Sequence, residues 1–377
     1  GLYYVQEASS LFLWEMLRQI MGENTANKKV LDVCAAPGGK STLLSSFFKG
    51  GMVVANEVIK SRTNILLENI TKWGNENVIV TNNDPAHFQK LDSFFDVILV
   101  DAPCSGSGLF RKNKDAISEW SEEAVNLCSL RQQRIVADVY SSLQQGGVFI
   151  YSTCSYSQEE DENTLDWMMD AFQLSSIKIE LKDEWNIVET ISAKQKGYGY
   201  RFYPDKLEGE GFFIAAFIKK DGTPFHSYPT ISSTGSSKKE GAVWDDWINH
   251  SSSLSIIKQK DLFIAMPNLL QQHLYLLQKA LYIRSAGIAL GKIKGKDVVP
   301  HHALAMSLLT ASSLPKLAFT KEEAIQFLQR KEIDINTSSL VKGWQLASFC
   351  GMNLGWLKVL PNRINNYYPT EWRILKS

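Results

Sequence analysis

Short apolar runs alternate with amphipathic stretches over the first 220 residues. Lys29–Val33, Met52–Glu57, Val78–Thr81, Phe95–Asp101, Gly147–Ser152 and Phe212–Ile218 read as strands. Between them, Lys40–Phe48, Ser61–Trp73, Ser121–Leu143 and Gln158–Ala171 read as helices, and Gln145-Gly146-Gly147 as a turn. The strands are near-continuous in apolar residues, as expected where a sheet is covered on both faces. Strand–helix alternation of this kind predicts a doubly wound, Rossmann-like α/β fold.

The pattern changes after residue 220. Asp221–Gly241 is rich in Ser, Thr, Gly and Pro and reads as a linker. The expected organisation is a first domain over 1–220, a linker over 221–243 and a second, mixed α/β region over 244–377. No internal repeat of fixed period is found. The formal net charge of zero hides an asymmetry. Residues 1–250 carry 24 Lys/Arg against 33 Asp/Glu, whereas residues 251–377 carry 16 against 7. A basic second region that touches phosphates is one reading, and two solvated surfaces of opposite sign is the other. No run of about 18 apolar residues exists, so no membrane span is expected. The chain starts at Gly1 with no basic-then-apolar leader and reads as a truncated or processed piece of an intracellular, cytoplasmic protein.

Strand Lys29–Val33 runs into Asp32-Val-Cys34-Ala35-Ala36-Pro37-Gly38-Gly39-Lys40-Ser-Thr. Two glycines there allow close approach of backbone to a ligand, and the next helix offers free N–H groups. A P-loop would need glycine where Cys34 stands, and a Gly-x-Gly-x-x-Gly fingerprint is absent. S-adenosylmethionine remains, a ligand that needs no pyrophosphate cradle. Glu57, Asp84 and Asp101 end or follow successive strands, where ligands of doubly wound sheets bind. Singly, such acids are turn formers or caps. Together, beside a glycine turn, they predict an acidic rim suited to a sulfonium.

Five cysteines occur, without a Cys-x-x-Cys pair, so neither a zinc cage nor a disulfide framework is expected and no metal is assigned. Cys34, Cys128 and Cys350 read as small buried hydrophobes. Cys104 (Asp101-Ala-Pro-Cys-Ser-Gly) and Cys154 (Ser152-Thr-Cys-Ser) instead leave two strand ends in Ser/Gly-rich turns beside the glycine loop. They predict a nucleophile and a helper. A thiolate added to carbon 6 of cytosine makes carbon 5 an enamine carbon able to attack a sulfonium methyl. An acid such as Asp101 would stabilise the adduct at ring nitrogen 3.

These motifs resemble the Sun-family RNA (cytosine-5)-methyltransferases over about residues 1–220. The matching segments are Gly1–Ser10, Asp32–Ser41, Glu57, Asp84, Asp101–Gly108, Ser152–Ser155, Arg201–Pro204 and Gly209–Phe213. The resemblance implies that Cys154 is the nucleophile and that Cys104 assists product release. It also implies that Cys34–Lys40, Glu57, Asp84 and Asp101 bind S-adenosylmethionine. Ser107 stands where many relatives have Glu, and Asp161 where the helix after Cys154 often has Asn. Arg111 and Lys112, after the Cys104 loop, are candidates for a phosphate of the target, with a solvated basic turn as the alternative.

The C-terminal part interleaves basic residues with aromatics and Asn, a pattern suited to phosphate contact and base stacking. Lys292, Lys294, Lys296, Arg363 and Arg373 are the candidate RNA contacts, whereas Trp344 and Trp356 read as core. This part resembles the branch of the family, RsmF-like, that ends in a PUA-like RNA-binding domain and acts on 16S ribosomal RNA. That resemblance implies RNA, in the small-subunit ribosomal RNA or the 30S subunit, as partner; a monomer is expected. It also implies an RNA-binding segment ahead of Gly1. Three alternatives are a transfer RNA methyltransferase, a DNA cytosine methyltransferase with Cys104 of Pro103-Cys104 as nucleophile, and a non-catalytic ribosome-assembly factor.

Overall fold

The computed structural model describes residues 5–222, 241–249, 254–295, 297–333 and 335–375. Over the first 220 residues the strands are β1 (Lys29–Asp32), β2 (Met52–Asn56), β3 (Val78–Thr81), β4 (Phe95–Asp101), β5 (Leu143–Thr153), β6 (Leu174–Ser176), β7 (Val188–Ile191), β8 (Tyr198–Phe202) and β9 (Phe212–Lys219). The helices are α1 (Phe12–Met21), α2 (Gly39–Phe47), α3 (Lys60–Trp73), α4 (Asp115–Glu119), α5 (Glu122–Tyr140) and α6 (Glu162–Ala171). β3-β2-β1-β4-β5 pair in parallel, and β9, β8 and β7 continue the sheet antiparallel. The chain reverses its direction of travel across the sheet between β1 and β4, which fixes the ligand crevice at their carboxyl ends.

Alternate strand residues fill two cores. Val30, Val53, Val97 and Ile150 pack with α1, α2 and α3, while Leu31, Val54, Ile98 and Tyr151 pack against the helices of the other face. Each such aliphatic side chain contributes about 1.5–3 kcal/mol on burial, so strands β1, β2 and β4, buried along nearly their whole length, make a rigid floor for the loops above.

The structure departs from sequence expectation at several elements. The Gln-Gly-Gly turn lies inside β5, where a register shift against β4 absorbs it and Gly146 takes φ 73°. The expected helix from Gln158 begins only at Glu162, because Glu160 and Asp161 turn inward to hydrogen-bond the neighbouring loops. α1, α4, β6, β7 and β8 add elements to the expected set. Helix α5 starts as expected at a Ser121 cap, whose Oγ accepts from Ala124 N at 3.0 Å.

The later strands are β10 (Leu254–Gln259), β11 (Leu262–Pro267), β12 (Ile283–Ala286), β13 (Ile288–Lys294), β14 (Asp297–Pro300), β15 (Lys316–Ala318), β16 (Gly343–Phe349), β17 (Met352–Val359) and β18 (Ile364–Asn366). Three helices accompany them: α7 (Asn268–Ala280), α8 (His302–Met306) and α9 (Lys321–Leu328). They form two four-stranded sheets, β10-β11-β13-β14 and β15-β16-β17-β18. Strand β12 instead pairs with β3, and Leu270, Leu274 and Leu277 of α7 join the first domain's core. The sheet begun in residues 1–220 therefore recruits chain from beyond the expected boundary. Most of the expected linker, residues 223–240, lies outside the described residues, as do Gly1–Tyr4 of the first motif. Among the described residues no helix is long and apolar enough to cross a membrane.

Candidate active site

A cavity of about 550 Å³ opens at the carboxyl ends of β1 and β4. Cys34, Ala35, Ala36, Pro37, Gly39, Lys40 and Asp101 line it. Gly38 stands behind that wall and turns the chain at φ 121°, a conformation open to glycine, into the N-terminus of α2. Gln6 clamps the glycine loop through Gly39 O (3.1 Å) and Thr42 Oγ1 (3.0 Å). Glu7 accepts from Glu210 N at 2.9 Å and so joins the N-terminal segment to the 208–210 loop across the cavity.

The acidic rim differs from the expected one. Asp101 lies on the cavity wall, its two oxygens accepting from Ser152 Oγ (2.7 Å) and Lys40 Nζ (2.9 Å). Burial opposes the charge on Lys40, but the Asp101 carboxylate outweighs it and holds the ammonium above its ordinary value. Glu57 is buried behind Arg62. It accepts from Ile59 N (2.9 Å), while its other oxygen, 3.4 Å from the guanidinium, has no hydrogen-bond partner. Asp84 is a helix cap, accepting from Ala86 N at 3.0 Å, and does not line the cavity. Of the three expected acids, Asp101 lines the cavity and Glu57 lies one layer behind.

Asp32, which sequence reasoning passed over, lines the cavity as well. One oxygen accepts from Ser41 Oγ at 2.6 Å, and the other is buried without a partner. Burial raises its carboxyl to about 7 against the bonds that lower it. The folded state then keeps a proton that the unfolded chain loses near pH 4. Its stabilising contribution is complete below that pH and is lost as pH rises through 7, at up to about 1.4 kcal/mol per pH unit. Asp32→Asn is expected to flatten this dependence, which denaturant titrations at pH 5, 6, 7 and 8 will read. A wild-type-to-variant stability gap that does not change with pH would show the group ionised throughout. Asp32 and Glu57 each offer an unpaired acceptor near the glycine loop, and hydroxyl or ammonium donors of S-adenosylmethionine fit that need.

Register brings the two cysteines together. Asp101 pairs with Ser152 across β4 and β5, so the segments leaving those strands run side by side. Cys104 Sγ and Cys154 Sγ are 2.6 Å apart as free thiols, and Cys154 N donates to Cys104 Sγ at 3.3 Å. The hydrogen bond to Cys154, then burial, pushes the Cys104 thiol well above its ordinary value. A Cβ on Gly108 would meet Gly211 O at 2.5 Å and Cys154 O at 2.7 Å, so only glycine lets the Cys104 loop pass this close.

Three consecutive acids, Glu160, Asp161 and Glu162, secure these loops, a role the charged run concealed in the sequence. Glu160 is wholly buried. It accepts from Ser105 N (2.9 Å), Gln132 Nε2 (2.9 Å), Ser155 Oγ (2.6 Å) and Ser105 Oγ, tying the two cysteine loops together. Asp161 accepts from Thr153 Oγ1 at 2.6 Å and lies 3.0 Å from the buried Arg201 guanidinium, which also pairs with Glu162. Burial pushes the Asp161 carboxyl up despite Arg201.

The basic candidates divide. Arg111 donates to Glu208 O (2.7 Å) and Gly209 O, lies 3.7 Å from the Glu210 carboxylate, and so braces the 208–210 loop while staying exposed. Lys112 is exposed and lines the cavity. Lys292 is paired with Asp261 at 2.7 Å. Lys294, Arg363 and Arg373 are exposed, but Lys294 belongs to one C-terminal sheet and the two arginines flank the other. Lys296 lies outside the described residues. Cys350, expected to be buried, is exposed in a turn at φ 48°, and Cys34 and Cys128 are half-buried. Trp356 is core as expected, while Trp344 is half-buried against Tyr367.

Comparison with known proteins agrees with this geometry. Residues 20–218 match the family described as 16S rRNA methyltransferase RsmB/F, and residues 314–374 match the methyltransferase RsmF PUA domain. The chain is 30% identical over 386 residues to the ribosomal RNA small subunit methyltransferase F of Aliivibrio salmonicida, covering 98% of this chain and 79% of that protein. The protein of the same description from Klebsiella pneumoniae is 29% identical, with 98% and 78% covered. The solved structure of PH0851 superposes with a TM-score of 0.50 at 26% identity, over 57% of this chain and 47% of that one. With a matched region that ends inside β9 and holds the glycine loop, both cysteine loops and their acidic staples, the chain belongs to the 16S rRNA methyltransferase RsmB/F family.

Proposed function

We propose that this chain methylates carbon 5 of a cytosine in 16S ribosomal RNA, with S-adenosylmethionine as methyl donor and Cys154 as nucleophile. The observation that carries the reading is the Cys104–Cys154 pair at the adjoining strand ends that also bring Asp101 to the cavity wall, although neither cysteine is among the lining residues. When bound, S-adenosylmethionine supplies an electrophilic sulfonium methyl. Cys154 Sγ adds to carbon 6 of the cytosine as its proton passes to ring nitrogen 3, where Asp101 stabilises it. Carbon 5 takes the methyl and S-adenosylhomocysteine is the leaving group. A base removes the carbon-5 proton, the electron pair of that bond restores the carbon 5–carbon 6 double bond, and the carbon 6–sulfur bond breaks as the proton on ring nitrogen 3 returns to sulfur. Cys104, against Cys154 Sγ, serves this release. Lys40 and Ser152 keep Asp101 aimed at the cavity.

The target base must leave its stack to reach the thiol, so an unpaired or loop cytosine is the expected substrate. We assign residues 244–377 as an RNA-binding unit and the working form as a monomer acting on small-subunit RNA, free or within the 30S subunit. The test offers the purified chain 16S ribosomal RNA, 30S subunits and transfer RNA with labelled S-adenosylmethionine, followed by bisulfite mapping. Label at one cytosine of the 16S RNA is the expected result. Label confined to transfer RNA, or RNA binding without any transfer, would overturn the reading.

A further inference from the structure

A second cavity, of about 720 Å³, lies between the first domain and the C-terminal region. One wall comes from α1 and the C-terminal ends of α2 and α3, the other from residues 305–308, Lys316 and the 351–353 turn. The two walls meet at Gly74. Leu308 N donates to Gly74 O at 3.2 Å, and a Cβ on Gly74 would lie 2.4 Å from Met306 O. The width of the cleft is therefore set by backbone against backbone.

Its chemistry is one-sided. Lys49, Lys72 and Lys316 line it, and no carboxylate is among the described lining residues. Lys49 and Lys316 are exposed, while Lys72 shares its charge with Glu68. Trp14 is 42% exposed and held edge-on against Phe47 at 5.0 Å, so its indole is both fixed and open to solvent. Three asparagines have their amide nitrogens tied down: Asn69 to Pro37 O, Asn75 to Ser45 Oγ and Asn353 to Ala305 O. Asn353 Oδ1 is left without a hydrogen-bond partner. Cations for phosphates, an indole for stacking and fixed amides for polar edges are what a single RNA strand engages.

The cleft adjoins the cofactor cavity. Asn69 lines it and also holds the glycine loop at Pro37. Helix α1 carries Trp14 into it directly after the 5–10 segment that walls the cofactor cavity. We propose that this cleft binds a single-stranded flank of the substrate RNA, with Lys49 and Lys316 on phosphates and Trp14 stacking a base. The proposal rests on the reading of the chain as an RNA methyltransferase. It places this grip in the cleft between the two units, with Lys316 of β15 as the C-terminal unit's cation.

The test measures affinity for a 16S ribosomal RNA fragment by fluorescence anisotropy over a salt series. Wild type is compared with the Lys49→Gln/Lys316→Gln double variant and with Trp14→Ala. The double variant is expected to weaken binding and to flatten the slope of log affinity against log salt by about 1.4, or about 0.7 for each phosphate of a single strand that no longer meets a lysine. Trp14→Ala is expected to lower affinity by roughly 5- to 100-fold with the slope unchanged. Surface lysine-to-glutamine changes leave the core intact, so the double variant stays informative even if Trp14→Ala folds poorly. If the double variant keeps both wild-type affinity and slope, the cleft proposal is overturned, and an acidic protein segment becomes the occupant to seek. That failure stands apart from failure of the enzymatic reading, in which wild type itself transfers no methyl group to ribosomal RNA.

Discussion

Cys154→Ala is expected to reduce methyl transfer to background and to abolish any covalent RNA–protein complex. Cys104→Ala is expected to form that complex and fail to resolve it. Carbon 5 of cytosine is a poor nucleophile until sulfur adds at carbon 6, so without Cys154 no later step begins. Loss of an enzymatic nucleophile costs on the order of 10⁴-fold or more. The two thiols are 2.6 Å apart, so the two variants, read one at a time, are what separates their roles. Denaturing gels of each variant with labelled RNA read the adduct, and filter assays read the methyl group. An adduct in Cys154→Ala that is absent in Cys104→Ala would reverse the assignment.

Glu160→Ala is expected to be the most damaging change away from the reacting atoms. Its carboxyl group is the common acceptor for Ser105 of one cysteine loop, Ser155 of the other and Gln132 of α5. Alanine strands two buried N–H donors, at about 1–3 kcal/mol each, while the serine hydroxyls can turn elsewhere. A loss of about 2–6 kcal/mol lowers the melting temperature by roughly 5–15 °C. The sulfur positions then relax, and misplacement on the order of 1 Å costs roughly 10²-fold in rate. Glu160→Gln separates positioning from general damage. Its carbonyl can still accept from the N–H groups, and its amide can donate to hydroxyls that reverse their roles. Recovery of most of the rate and melting temperature by Gln is the expected outcome. A Gln variant as slow as Ala yet fully stable would instead give Glu160 a direct part in proton transfer.

What the sequence exposed follows from burial. Strands β1 to β5 and β9 are covered on both faces, so they appear as apolar runs that any periodicity reading finds. Strand β7 is half-exposed and carries no such signature. Strand β12 joins β3 from some 200 residues away, and nothing local in Ile283–Ala286 announces that partner. At the site, the glycine loop and both cysteine turns were legible because their chemistry is written in short motifs. Glu160, Asp161 and Glu162 were not, because a run of acids reads as a solvated face until its neighbours are known. The cap that Asp84 makes on the 85–90 turn was not legible either, because an acid at a strand end reads the same whether or not it caps. The three lysines of the interdomain cleft come from distant segments, two of them in the acidic half of the chain, and only folding brings them together.

The most direct measurement is peptide mapping of the trapped complex. Cys104→Ala protein is incubated with S-adenosylmethionine and 16S ribosomal RNA, digested with nuclease and protease, and analysed by mass spectrometry for a peptide carrying a methylated cytidine. The account predicts that mass on the sulfur of Cys154. A nucleotide attached at any other residue, or a stalled complex with no covalent link, would contradict it.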